Sequence, residues 1–201
     1  FDMHTRLGRF VAVALMIAIS AAGLFAEGQT EADVLNFALS GNPDTLDPHA
    51  TSGTLTFQAT RSVYDTLVEP DREGVISPAL ARSWSVSPDY LTWTFNLRRD
   101  VTFHNGDALT SADVAATFER LTSEETASPK AEELEAVTSI ETPDDHTVVF
   151  RLSEPYAPLL SSLASGWSAI LPKSLIDADH DFAAKPVGTG PFVFDHWIRD
   201  S

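Results

Sequence analysis

Between residues 91 and 121 the hydrophobic period of this chain changes from two to about 3.6, and that change restricts what the chain can fold into. Leu91, Trp93, Phe95 and Leu97 alternate with Thr92, Thr94 and Asn96, the pattern of a strand with one face buried. Ser87-Pro88-Asp89 stands just ahead of them; Pro presets φ and Asp can bond its own backbone, so this is turn chemistry. Residues 84–97 are therefore predicted to form a β-hairpin. Thr110-Ser111-Ala112-Asp113 then fits a capping box, in which Asp113 reaches back to the free N–H groups of a helix beginning near Ser111. Val114, Phe118 and Leu121 share one face of that helix at i, i+4 and i+7, with Glu119 and Arg120 off it. A helix that is apolar on one side must cover something, and the order of elements supplies the sheet. These residues build a fold and carry no chemistry of their own.

Outside that stretch the pattern is punctuated by turns. Residues 34–39 read as a short strand, 41–53 as a loop rich in Pro, Asp, Thr and Gly, and 54–64 as a helix. Residues 122–135 are acidic and polar, helical in part and solvated. Residues 137–141 and 147–152 flank Pro143-Asp144-Asp145-His146, a second hairpin. Pro158 suits the first turn of a helix over 159–164, where its missing N–H costs nothing. Residues 188–191 form a turn before a strand over 192–197.

At the N-terminus His4, Arg6 and Arg9 precede an apolar run over residues 10–19, and small residues follow as far as Ala26. That is the order of a secretory signal peptide, since the run is well short of the roughly 20 apolar residues that span a bilayer. The expected organisation is a signal peptide over residues 1–26 and an exported domain over 27–201. There is no cysteine, which excludes disulfides, thiolate metal sites and a thiol nucleophile. A net charge of −16 argues against nucleic acid, whose phosphates need basic patches. Acidity otherwise keeps an exported protein soluble.

Candidate chemistry is sparse. Asp44 and Asp47 form a carboxylate pair, but acid–base work needs one of them in a shifted environment, and a Pro-rich loop is normally wet. His104 lies near Asn105 and Asp107, yet no serine sits in a nucleophile elbow. His49, His146, His180 and His196 are scattered singly, against a metal site. Gly188-Thr189-Gly190 is followed by Pro191 where a dinucleotide loop needs a helix N-terminus. Trp93 alternates with apolar neighbours and reads as core, whereas Trp167, within Ser165-Gly166-Trp167-Ser168, reads equally as core or as a ligand contact.

Taken in order, Asp44-Thr45-Leu46-Asp47-Pro48, Val63-Tyr64-Asp65-Thr66-Leu67-Val68, residues 74–121 and Pro186-Val187-Gly188-Thr189-Gly190-Pro191-Phe192 resemble the family 5 extracytoplasmic solute-binding proteins. These are the dipeptide, oligopeptide and nickel receptors of ABC importers. The resemblance implies an α/β fold of the periplasmic binding protein-like type II, with helices flanking a mixed sheet. It implies an incomplete first lobe over residues 27–201 and no second lobe. It also implies a binding module without catalysis or cofactor, capturing a small peptide or similar solute in the periplasm for a permease in the inner membrane, and a monomer when full length. The lipidated cysteine that tethers such receptors in single-membrane bacteria has no counterpart here. Carried over by position, the ligand contacts of this lobe are Thr51, Ser52 and Phe57, then Trp167 and Ser168. A nickel chelate, haem, glutathione, opine or oligosaccharide is the alternative cargo. A periplasmic hydrolase, or a sensory receptor on the same fold, is the rival reading.

Overall fold

A computed structural model describes residues 35–198 of the chain. The signal-peptide reading falls on residues 1–26, outside the described residues. Helix α1 (Thr54–Thr60) is followed by a small antiparallel sheet of β1 (Val68–Pro70) and β2 (Ile76–Pro78). Strands β3 (Ala81–Val86) and β4 (Thr92–Leu97) form the first hairpin of a larger sheet. Helix α2 (Ser111–Thr122) then leads to the second hairpin, β5 (Val137–Asp144) and β6 (Thr147–Leu152). Short helices α3 (Leu159–Leu163) and α4 (Lys173–Asp177) follow, with a 3-10 turn at Gly166–Ser168 between them.

The four long strands pair antiparallel in the order β3-β4-β6-β5. The expected helix-flanked sheet is present; among the described residues its strands are antiparallel throughout. Directly opposed residues share a face, so the register that places Trp93 against Phe150 and Phe95 against Val148 gathers one apolar surface. Along β4 the side chains at 93, 95 and 97 are buried and those at 92, 94 and 96 are half-buried, as the alternation requires. Val114, Phe118 and Leu121 of α2 close this surface and are themselves buried. Phe150 meets Phe95 edge-on at 5.5 Å between centroids and Phe118 at 5.3 Å, the geometry that the ring quadrupole favours.

The turns and caps follow the residues that prescribe them. Tyr90 N donates to Ser87 O at 2.9 Å, and Tyr90 sits at φ 60 to close the β3–β4 turn. At the start of α2, Asp113 accepts the Thr110 N–H at 2.8 Å, completing the capping box. Pro158 stands at the N-cap of α3, one residue ahead of the first turn.

Three expectations are corrected. The first helix stops at Thr60, well before Tyr64, because residues 61–64 turn back on it: Val63 N and Tyr64 N both donate to Thr60 O. Residues 35–39 form no strand, and Leu35 and Phe37 are exposed. Residues 192–197 likewise form no strand, and Phe192 and Val193 are exposed. The reason is the same at both ends: a strand persists only where another strand supplies its ladder, and none does so among the described residues.

Candidate functional site

The loop over residues 44–53 is wound around one carboxylate. Asp44 accepts the Thr51 hydroxyl at 2.7 Å and the Thr45 N–H at 3.1 Å, together with the Thr56 hydroxyl from α1. Those hydroxyls hold Asp44 below the usual carboxylate range. Thr51 in turn accepts the Gly53 N–H at 2.8 Å, at the position that begins α1. Loop and helix are thus one hydrogen-bonded unit, and Phe57 and Arg61, four residues apart, project from the same side of it.

Facing α1 is the segment after α3. A Cβ added at Gly166 would lie 2.9 Å from Phe57 Cβ, so the two walls touch and only glycine fits there. Beside that contact lies a hollow of about 190 Å³ with Phe57, Gly166 and Ala169 in its wall and Arg61, Asp65 and Glu69 at its polar side. Neither Arg61 nor Glu69 is held in an ion pair among the described residues.

Of the five residues expected to contact ligand, the structure brings only Phe57 into this hollow. Thr51 is buried with its hydroxyl committed to Asp44, and Ser52 is exposed beside it. Trp167 is 4% exposed and belongs to the core under the sheet. Of its two readings, burial agrees with the core one. Ser168 is fully buried, its hydroxyl 2.8 Å from Ser165 O and 2.9 Å from Leu163 O. Arg61, Glu69 and Gly166 were missed; Arg61 was findable as the i+4 neighbour of Phe57, just ahead of Val63-Tyr64-Asp65.

Beneath this surface lies a polar cluster that no motif announces. Asp47 is not wet: it is 6% exposed, and Arg120 of α2 grips it at 2.6 and 3.2 Å. Arg120 also lies 5.2 Å over the Phe182 ring and 2.9 Å from His49 Nδ1. A guanidinium can only donate, so Nδ1 accepts and the imidazole proton is on Nε2. That proton is donated to Ala169 O at 3.1 Å. His49 is fully buried, and burial and then Arg120 push its pKa down to about 4. Burial also pushes the neighbouring Tyr64 phenol up.

The glycine motif is likewise architectural. A Cβ at Gly188 would fall 2.2 Å from Val63 O and one at Gly190 2.6 Å from Ser62 O, approaches that admit no side chain. Thr189 donates to Asp65 at 2.8 Å, and His104 Nε2 donates to Gly190 O at 2.8 Å. His104 is therefore a clip between two loops.

Residues 75–201 match the family of bacterial extracellular solute-binding proteins, family 5 Middle. The chain belongs to this family. It is 34% identical over 208 residues to the di/tripeptide-binding protein 1 of Pseudomonas aeruginosa, covering 91% of the chain and 39% of that relative. Among solved structures, it is 39% identical to AgaA of A. tumefacien R10 in complex with agropinic acid, with a TM-score of 0.75 over 79% of the chain and 32% of that structure. It is 35% identical to the Helicobacter pylori DppA periplasmic binding protein in complex with peptide STSA, with a TM-score of 0.72 over 80% of the chain and 36% of that structure. These likenesses establish the type II periplasmic binding protein fold, carried here in part. The chain spans between 34% and 40% of the length of the curated relatives it matches.

Proposed function

We propose that this family 5 chain supplies one wall of a receptor that captures small peptides or peptide-like solutes and releases them unaltered to an ABC permease. The supporting observation is the hollow between α1 and Gly166, where an apolar floor lies beside Arg61 on the one hand and Asp65 and Glu69 on the other. A short peptide carries a carboxylate, an ammonium and apolar side chains, and each has a complementary surface there. Charges of both signs with no catalytic set beside them suit binding without turnover. The reading places the mature protein in the periplasm, with the rest of the receptor closing over the ligand and no nucleic acid as partner. Residues 27–201 would then be the beginning of the first lobe and residues 1–26 the cleaved leader. The 39% identity to the agropinic acid complex favours an opine as the second reading.

Calorimetric titration of the receptor with di- and tripeptides and with agropinic acid tests this. Peptide binding is expected, and Arg61→Ala or Glu69→Ala should each weaken it about tenfold, the loss of one charge-assisted contact. Preference for agropinic acid would move the assignment to the second reading. Cleavage of a bound peptide, seen by mass spectrometry of the mixture, would overturn it.

A further inference from the structure

We infer that Arg120 is a positioning residue of the binding wall, and that it acts through His49 to set the gap between α1 and the Gly166–Ser168 turn. The inference begins with the polar side of α2, which the apolar stripe leaves unexplained. Asp113, Thr117 and Arg120 are spaced by four and three residues, so they share a face. Asp113 accepts the Lys173 N–H at 2.8 Å, and Thr117 accepts the Leu171 N–H at 2.9 Å. Arg120 reaches Ala169 O by way of His49, at 2.9 and 3.1 Å. Three successive positions of the helix thus hold residues 173, 171 and 169 of an extended segment.

The spacings are commensurate. Alternate residues of extended chain advance roughly 6 to 7 Å, while three or four helical residues advance about 4.5 to 6 Å. A helix side chain can therefore meet every second residue of the segment without bending either element. At the Arg120 end a relay replaces the direct contact, and the relay is part of the loop over residues 44–53. His49 N donates to Asp47 at 2.9 Å, and two residues further on Thr51 joins the Asp44 unit that carries α1. The same guanidinium thereby locates both walls: Ala169, which lines the hollow, and the loop from which Phe57 descends. Since Gly166 and Phe57 are already in van der Waals contact, a shift of a few tenths of an ångström at either wall changes the shape offered to ligand.

His49 suits the relay because it accepts on one ring nitrogen and donates on the other. Glutamine offers the same pair of functions on its amide; leucine offers neither. Lysine at 120 keeps the charge opposite Asp47 but not the fork that serves Asp47 and His49 together.

The bearing on ligand rests on the function proposed above, so the bracket itself is tested without ligand. Amide hydrogen exchange is measured by NMR on the 201-residue chain and on His49→Leu, His49→Gln and Arg120→Lys. In His49→Leu the Gly53 and Phe57 amides on one wall and the Ser168 and Ile170 amides on the other should exchange about tenfold faster, with the β4 and β6 amides unchanged. His49→Gln should restore protection, and Arg120→Lys should resemble His49→Leu. The imidazole nitrogen shifts of the unmutated chain should report an unprotonated Nδ1 and a protonated Nε2. Uniform acceleration that includes β4 and β6, no acceleration at all, or the opposite tautomer would each overturn the inference. Titration of the same variants with trialanine separates the two claims: failure of the unmutated protein to bind it counts against the peptide reading and leaves the exchange result to decide the bracket.

Discussion

At Arg120 Nη1 two acceptors share one guanidinium nitrogen, Asp47 Oδ1 at 3.2 Å and His49 Nδ1 at 2.9 Å, and this arrangement makes the fold sensitive to acid. Protonating His49 would place a second cation against Arg120 on a fully buried ring, with Asp47 as the nearby counter-charge. Burial and Arg120 outweigh Asp47, so the folded pKa is lowered from 6.5 to about 4. Between those values the unfolded chain binds more protons than the folded one, so stability falls as pH falls. The contribution is complete above about pH 6.5, declines toward about pH 4 and is level below it, on the order of 3 kcal/mol in all. His49→Gln should remove this decline. Urea unfolding at pH 7 and pH 4.5 is the measurement; an equal loss of stability in both proteins would show that His49 is not the group responsible.

Among elements, α2 does the most: it closes the sheet with one stripe and holds residues 169–173 with another. Asp113 serves both its N-terminus and the Lys173 N–H, whereas Thr110 serves the capping box alone. Asp113→Ala should therefore cost more than Thr110→Ala, by about 1 kcal/mol on top of the roughly 1 kcal/mol of a lost cap. Equal urea midpoints would deny the second role. The capping box was legible in the sequence because its residues are neighbours, and the two hairpins were legible because alternation and turn residues are local signals. The Thr117–Leu171 and Arg120–Asp47 contacts were not, since they join residues 54 and 73 apart, and no periodicity carries that information. Trp167 shows a further limit: flanked by glycine and serine it reads equally as core or as ligand contact, and only the turn, which drops the indole into the core while Gly166 faces the hollow, decides its burial. The Asp44 and Asp47 loop looked solvated for its composition, and it is dry at Asp47 because a helix far along the chain brings the arginine.

For the molecule as a whole, the decisive fact is an exposed apolar pair, Phe192 and Val193. Residues 192–197 were expected to be a strand and form none, with Phe192 54% and Val193 70% exposed. Exposed apolar side chains side by side are a surface on which another copy can associate. Side chains this exposed are accessible to a second copy of the chain. Burying a Phe or Val side chain contributes roughly 1.5–3 kcal/mol, and 1.4 kcal/mol is a tenfold change in association. Because Phe192 and Val193 already lose part of that burial within the fold, replacing both by Ser should weaken self-association by at least about tenfold and not abolish folding. Sedimentation velocity over a concentration series is expected to show the unmutated chain growing in mass as concentration rises, and Phe192→Ser/Val193→Ser remaining monomeric over the same range. If the unmutated chain stays monomeric throughout, Phe192 and Val193 are solvated on their own account and do not drive association.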